Sequence, residues 1–247
     1  MKYLISCLIL VCLLFSACKD DPIAEEENNA VLSSAFEEFD SENVFIYADG
    51  SQVVIETNGL PNHTSPYWSP SHELHIDPIV TTEQDMAPGF IDNFTGSFTL
   101  RVDAEPDLAN HSSTTGLGPI GIAVSGSVIY NDQEGPNVPL DNASVSLDYN
   151  GAHTGPQSYH YHLEPKAWSD DDHELIGIMS DGFFLYGRKC FESQDYPTDL
   201  DESGGHVGMT QHSDEAHYHY HIQNELYLNQ YYILFPGDFQ GTPNGIN

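Results

Sequence analysis

The chain spells Tyr-His-Tyr-His twice, at Tyr159-His160-Tyr161-His162 and again at Tyr218-His219-Tyr220-His221. Each copy closes a longer block that also recurs. The first block runs through Gly121-Ile122-Ala123-Val124-Ser125-Gly126-Ser127-Val128-Ile129-Tyr130 and then Gly151-Ala152-His153-Thr154-Gly155. Its counterpart runs through Gly177-Ile178-Met179-Ser180-Asp181-Gly182-Phe183-Phe184-Leu185-Tyr186 and then Gly204-Gly205-His206-Val207-Gly208. The offset between the copies is nearly constant, and intervening loops absorb what difference there is, as expected of a duplicated supersecondary unit. The fold therefore has to accommodate one piece of structure twice, repeat one at about 119–163 and repeat two at about 175–222.

Tyrosine and strict alternation favour extended chain, in which successive side chains point to opposite faces. His160 and His162 then share one face, His219 and His221 share another, and the tyrosines take the reverse sides. Residues two apart on a strand lie about 6.5 Å from each other, a gap that two imidazoles leaning inward can close on one ion. His153 and His206, each between glycines in a turn, can supply further ligands, because glycine lets backbone approach a site closely. Neutral imidazole is the commonest protein metal ligand, and three histidines with an open position form a known zinc arrangement. One His-x-His alone would more often be a hydrogen-bonded, stacked strand pair. Two copies, each preceded by a glycine-flanked histidine, tip the balance toward a transition metal, with copper or zinc the expected cofactor and its identity open. Asp181 is placed to orient an imidazole by accepting its other N–H, with Tyr186 beside it. The tyrosine phenols on the opposite face are expected to anchor the core with their hydroxyls satisfied.

These motifs resemble those of the bacterial YHYH-domain family. The resemblance extends over Asn58-Gly59-Leu60-Pro61-Asn62-His63, Asp181 to Gly187, Leu200-Asp201 with Gly205-His206, and both tetrapeptides, spanning Val44 to Phe235. It implies that His63, in a turn of Asn, Gly and Pro, is a further candidate ligand. Two positions depart from the family pattern. Phe184 stands where proline is usual, and Ser203 stands where cysteine is common, which implies that the second repeat has no thiol ligand and no disulfide.

Residues 1–17 read as a lipoprotein signal peptide, with Lys2 as its positive start and Leu4 to Phe15 as an apolar run too short for a stable spanning helix. Phe15-Ser16-Ala17-Cys18 resembles a lipobox, so Cys18 is expected to be lipidated and to anchor the chain in the outer membrane. Lys19-Asp20-Asp21 resembles the export signal of Bacteroidota lipoproteins, pointing to the cell surface. Residues 18–43, with Glu25-Glu26-Glu27, read as a flexible acidic tether, with room for a short helix across Val31 to Phe39. Cys7 and Cys12 leave with the leader, so Cys190 is the one thiol expected in the folded part, as a buried residue.

From Val44 onward (44–247) the texture is that of a single β domain. Val44-Phe45-Ile46-Tyr47 and Val53-Val54-Ile55-Glu56 flank Asp49-Gly50, a strong hairpin signal. Ser97 to Val102 alternates, the repeats predict hairpins about Ser125-Gly126 and Asp181-Gly182, and Tyr227 to Phe235 predicts a late strand. The expected class is mainly β, a sandwich-like domain built from the two repeats. A formal charge of −32, with only six Lys and Arg, repels nucleic acid and anionic membrane and draws cations. Gly116-x-Gly118-x-x-Gly121 opens a strand rather than a helix, and His72-Glu73-Leu74-His75 is a residue short of a zinc-protease motif, so neither carries its usual chemistry. Three functions are open: metal binding by the paired histidines, a metal-dependent hydrolase or oxidase at the same cluster, and a metal-free module holding glycan or protein through Tyr67 and Trp68.

Overall fold

The computed structural model describes residues 29–78, 85–155 and 158–247. The leader, Cys18 and the tether up to residue 28 lie outside the described residues. Among these, the regular structure is β with short 3-10 turns at Ser34–Glu38, Ile91–Asn93 and Ala143–Val145. The strands in chain order are β1 (Val44–Asp49), β2 (Gln52–Thr57), β3 (Phe98–Asp103), β4 (Gly121–Ala123), β5 (Val128–Ile129), β6 (Gln133–Gly135), β7 (Val138–Pro139), β8 (Ala152–Thr154), β9 (Tyr159–Tyr161), β10 (Leu175–Met179), β11 (Phe184–Tyr186), β12 (Gly205–Thr210) and β13 (Ser213–His221). No helix among the described residues is long and apolar enough to cross a membrane.

β1, β2 and β3 form a three-stranded antiparallel sheet, the first two joined through the Asp49-Gly50 turn, where Gly50 takes a φ of +63°. The two repeats build one eight-stranded sheet in the order β12-β13-β11-β10-β4-β5-β9-β8. That order is a palindrome of equivalents: β4 matches β10, β5 matches β11, β8 matches β12 and β9 matches β13. At its centre β4 and β10 run antiparallel with Ile122 opposite Ile178, its own counterpart in the other repeat. A pseudo-twofold axis therefore passes through this pair and sends the two Tyr-His-Tyr-His strands toward opposite edges. Each copy joins its hairpin by a parallel pairing, β5 with β9 and β11 with β13.

The seam explains two glycines. A Cβ on Gly177 would lie 2.2 Å from the Ile122 carbonyl oxygen, and one on Gly121 would lie 2.8 Å from that of Ile178. Symmetry makes the two demands equivalent. Both faces of the sheet are covered, so its strands are apolar on both sides. On one face Val53, Ile55, Leu100 and Val102 of the smaller sheet pack with Ile122, Leu175, Ile178 and Tyr186. On the other, loops carrying Tyr67, Trp68 and Ile91 and the C-terminal Leu234, Phe235 and Phe239 cover Ile129, Tyr159, Tyr161, Leu185 and Tyr220. The domain is mainly β and sandwich-like at its centre, with a loop layer completing it.

Three expectations need correction. Residues 29–43 are docked rather than free, with Ala35 and Phe39 buried in the cluster beneath the smaller sheet; their apolar side chains outweigh the acidic composition. Tyr227 to Phe235 is not a strand: Tyr227 N–H donates to the Tyr231 carbonyl at 2.8 Å, and Leu228 and Asn229 take φ of 50° and 58°. The apolar run marks coverage, since Leu234 and Phe235 are buried over the tyrosine face. Tyr67 and Trp68 belong to the same layer at 1% and 3% exposure, so they offer no surface to a glycan or protein.

Because backbone rather than a flexible side chain fills the space beside Gly177, Gly177→Ala forces the central pair apart. Urea denaturation is expected to show a loss of about 3 kcal/mol or more, or no folding at all. Gly50→Ala, with open space around it, is limited to the left-handed backbone penalty of about 1 kcal/mol.

Candidate metal centres

The tyrosine–histidine alternation places its two residue types as the strand period requires. At one edge of the large sheet β8 pairs with β9, with His153 directly opposite His160, and His162 follows just past the strand end. The three rings face one another at centroid separations of 4.8, 4.9 and 5.4 Å. Each is held by its outer nitrogen. His160 Nδ1–H donates to the Ser158 carbonyl at 3.0 Å, and His162 Nδ1–H to the Asn131 carbonyl at 2.6 Å. His153 Nδ1 meets Ser146 Oγ at 2.9 Å, and that hydroxyl already donates to the Ala143 carbonyl, so it accepts from the ring. With every Nδ1 protonated, the inner Nε2 atoms all present lone pairs.

Those lone pairs converge. His153 Nε2 lies 3.1 Å from His160 Nε2. Glu134 Oε1, from β6, lies 3.3 Å from His153 Nε2 and 3.4 Å from His162 Nε2. His162 Nε2 is buried without a hydrogen-bond partner. Acceptors this close with no donor among them repel one another unless a cation sits there. The spacing fits one: a tetrahedral ion with bonds of about 2.0–2.1 Å sets its ligand atoms about 3.3 Å apart. Burial holds His160 and His162 neutral. It pushes His160 well below the usual histidine range and takes His162 down to about 4, with the neighbouring rings adding to the effect. Glu134 brings a carboxylate oxygen to the rim of this cluster, with 29% of its side chain exposed.

The opposite edge repeats the construction. β12 pairs with β13, His206 stands opposite His219, and His221 ends the strand. Centroid separations are 4.8, 4.9 and 5.1 Å. His219 Nδ1–H donates to the His217 carbonyl at 2.9 Å, His221 Nδ1–H to the Gly187 carbonyl at 2.8 Å, and His206 Nδ1–H to Asp199 Oδ1 at 2.9 Å. His206 and His221 bring their Nε2 atoms to 3.2 Å. Burial takes His219 to about 4 and His221 to about 3, so both rings are neutral. Cys190 joins this cluster: its Sγ lies within 4.8 Å of ligand atoms on His206 and His221, and the His219 ring packs beside both histidines. The expectation of a second repeat without a thiol ligand is thereby corrected. Ser203 removes one candidate, but the chain after β11 brings in Cys190 from another direction.

Glu134 and Cys190 are the candidate ligands that sequence reasoning missed. The signal was present in the duplication: with Tyr130 aligned on Tyr186, Glu134 falls on Cys190. Tyr130 stacks on His160 at 3.9 Å, and Tyr186 sits edge-on to His219 at 5.4 Å, so Tyr186 flanks the second cluster as a packing partner. Asp181 does not orient an imidazole. It lies on the reverse face, where its carboxylate accepts from Tyr220 OH at 2.6 Å. His63 is likewise brought to neither cluster: its Nε2 meets Tyr161 OH at 2.6 Å and its Nδ1 lies near the Thr64 carbonyl. The reverse side of a strand cannot contribute to a site on the obverse.

No curated protein and no solved structure matches the chain. The family model described as YHYH protein matches residues 99–198, which take in the first repeat and the start of the second and stop short of Tyr218. Residues 99–198 thus carry the YHYH family's domain, and its tetrapeptide stands at both edges of the large sheet.

Proposed function

We propose that this chain is a transition-metal-binding domain that holds two ions, one at each edge of its large sheet. One observation supports the reading above the others. In both clusters all three Nδ1–H groups are committed outward to carbonyl, hydroxyl or carboxylate oxygens, which leaves the Nε2 lone pairs inward, those of His153 and His160 meeting at 3.1 Å and those of His206 and His221 at 3.2 Å. Outer hydrogen bonds of this kind fix the tautomer and raise the basicity of a metal-bound histidine. The donor sets are His153, His160 and His162 with the Glu134 carboxylate beside them, and His206, His221 and the Cys190 sulfur with His219 beside them. A fourth protein ligand at each edge, Glu134 or His219, would close the site, which suits retention of an ion better than activation of water at an open position. Copper and zinc fit such sets. The lipobox-like Phe15 to Cys18 and the acidic residues after it support a lipid-anchored location at the outer membrane surface.

Metal analysis after saturation and gel filtration tests the reading. The full domain should retain two equivalents of zinc or copper. His160→Ala with His162→Ala should retain one, His219→Ala with His221→Ala the other, and circular dichroism should confirm folding in both. Failure to retain any ion overturns the proposal. The outer partners carry a second expectation: Asp199→Ala or Ser146→Ala should each weaken one site about 10–100-fold without abolishing it, as titration calorimetry would read. Binding only to the folded state should also raise the thermal midpoint, worth about 4 kcal/mol at a thousandfold excess of free ion over Kd, and a chelator should reverse it.

A further inference from the structure

The two clusters carry three histidines at corresponding sequence positions and differ in the residue that joins them. His153, His160 and His162 correspond to His206, His219 and His221, and their outer hydrogen bonds correspond as well, down to Asn131 and Gly187 as carbonyl acceptors. The difference is that a carboxylate in one repeat is replaced by a sulfur in the other. We infer that the centres are chemically differentiated, the Cys190 end taking a thiophilic cation such as copper(I), zinc or cadmium, and the Glu134 end taking a harder, oxygen-tolerant ion. The inference rests on the metal-binding reading above.

Charge cannot draw the distinction, since each set supplies one anionic ligand, carboxylate or thiolate. Softness can: thiolate selects soft cations, whereas carboxylate suits harder ones. The surroundings reinforce the difference. Glu134 sits at the rim with 29% of its side chain exposed, within reach of water. Cys190 is 3% exposed and is pinned in a tight turn by its N–H to the Asp195 carbonyl at 3.0 Å and by Gln194 N–H to its own carbonyl at 2.9 Å. Its sulfur is therefore presented inward, toward His206 and His221, and kept from solvent. Binding an ion there replaces the S–H bond by a metal–sulfur bond and releases the proton to buffer, with no change of oxidation state.

Cobalt(II) titration of the full chain under reducing conditions, followed by absorbance and elemental analysis, tests this. The expected result is two bound cobalt ions and one sulfur-to-cobalt charge-transfer band in the near ultraviolet. Cys190→Ser should lose that band completely while the ligand-field bands of the other ion persist, and cadmium should displace cobalt from the Cys190 end first. Glu134→Cys should double the band, which keeps the test informative if Cys190→Ser folds poorly. Two bound cobalt ions without a sulfur band, or a band indifferent to Cys190→Ser, overturn the inference and leave the metal reading standing. No bound cobalt at all overturns both.

Discussion

The antiparallel pairing of Ile122 with Ile178 is the contact on which the molecule is built. A duplicated unit can bury its sheet edge only against something, and here each copy buries it against the other. Because the pairing joins equivalent residues, the junction is self-complementary, and whatever geometry one repeat adopts is returned by its partner about the axis. The glycines beside the seam follow from the same contact, since each must let the opposite isoleucine carbonyl approach. The separation of the histidine clusters follows too. Each Tyr-His-Tyr-His strand lies outward of its hairpin, so the axis carries the two clusters to opposite edges and makes two sites.

Alternation then divides each strand between two chemistries. The tyrosine face is largely apolar, and its phenols meet oxygen partners, buried for all but Tyr218. Tyr159 OH donates to Asp148 and Tyr218 OH to Asp201, at 2.7 and 2.8 Å, while Tyr161 and Tyr220 meet Ser125 and Asp181. Burial raises Asp148 and Asp181 above the usual carboxylate range, and the phenolic donors offset part of that cost. The opposite face holds imidazoles beside the smaller sheet, with their outer nitrogens fixed and their inner ones unsatisfied. A polar group left so is expensive in a dry interior, and an ion is the simplest means of meeting several at once. The strongly negative surface supplies the long-range attraction such an ion would follow inward.

Much of this was legible in the residues, although unevenly. The β1–β2 hairpin at Asp49-Gly50, the hairpins about Gly126 and Gly182, and the burial of the tyrosines were readable because turn chemistry and period two act locally. Tyr227 to Phe235 misled because an apolar run signals burial, and a covering loop buries side chains as well as a strand does. Tyr67 and Trp68 misled in reverse, since aromatic residues among Ser and Pro can sit under a loop as readily as on one. His63 carried a family signature whose physical reason turns out to be a hydrogen bond to Tyr161 on the reverse face of the sheet.

From the sequence alone came the repeat, the shared face of each histidine pair and the inclusion of His153 and His206, because these depend on spacing along one strand or across one short turn. The tertiary structure alone decided that the repeats meet through Ile122 and Ile178, that the clusters are two rather than one, and that Glu134 and Cys190 lie beside them. Those choices rest on which strand edges pair and on where a loop returns, and both are settled by packing between segments far apart in the chain.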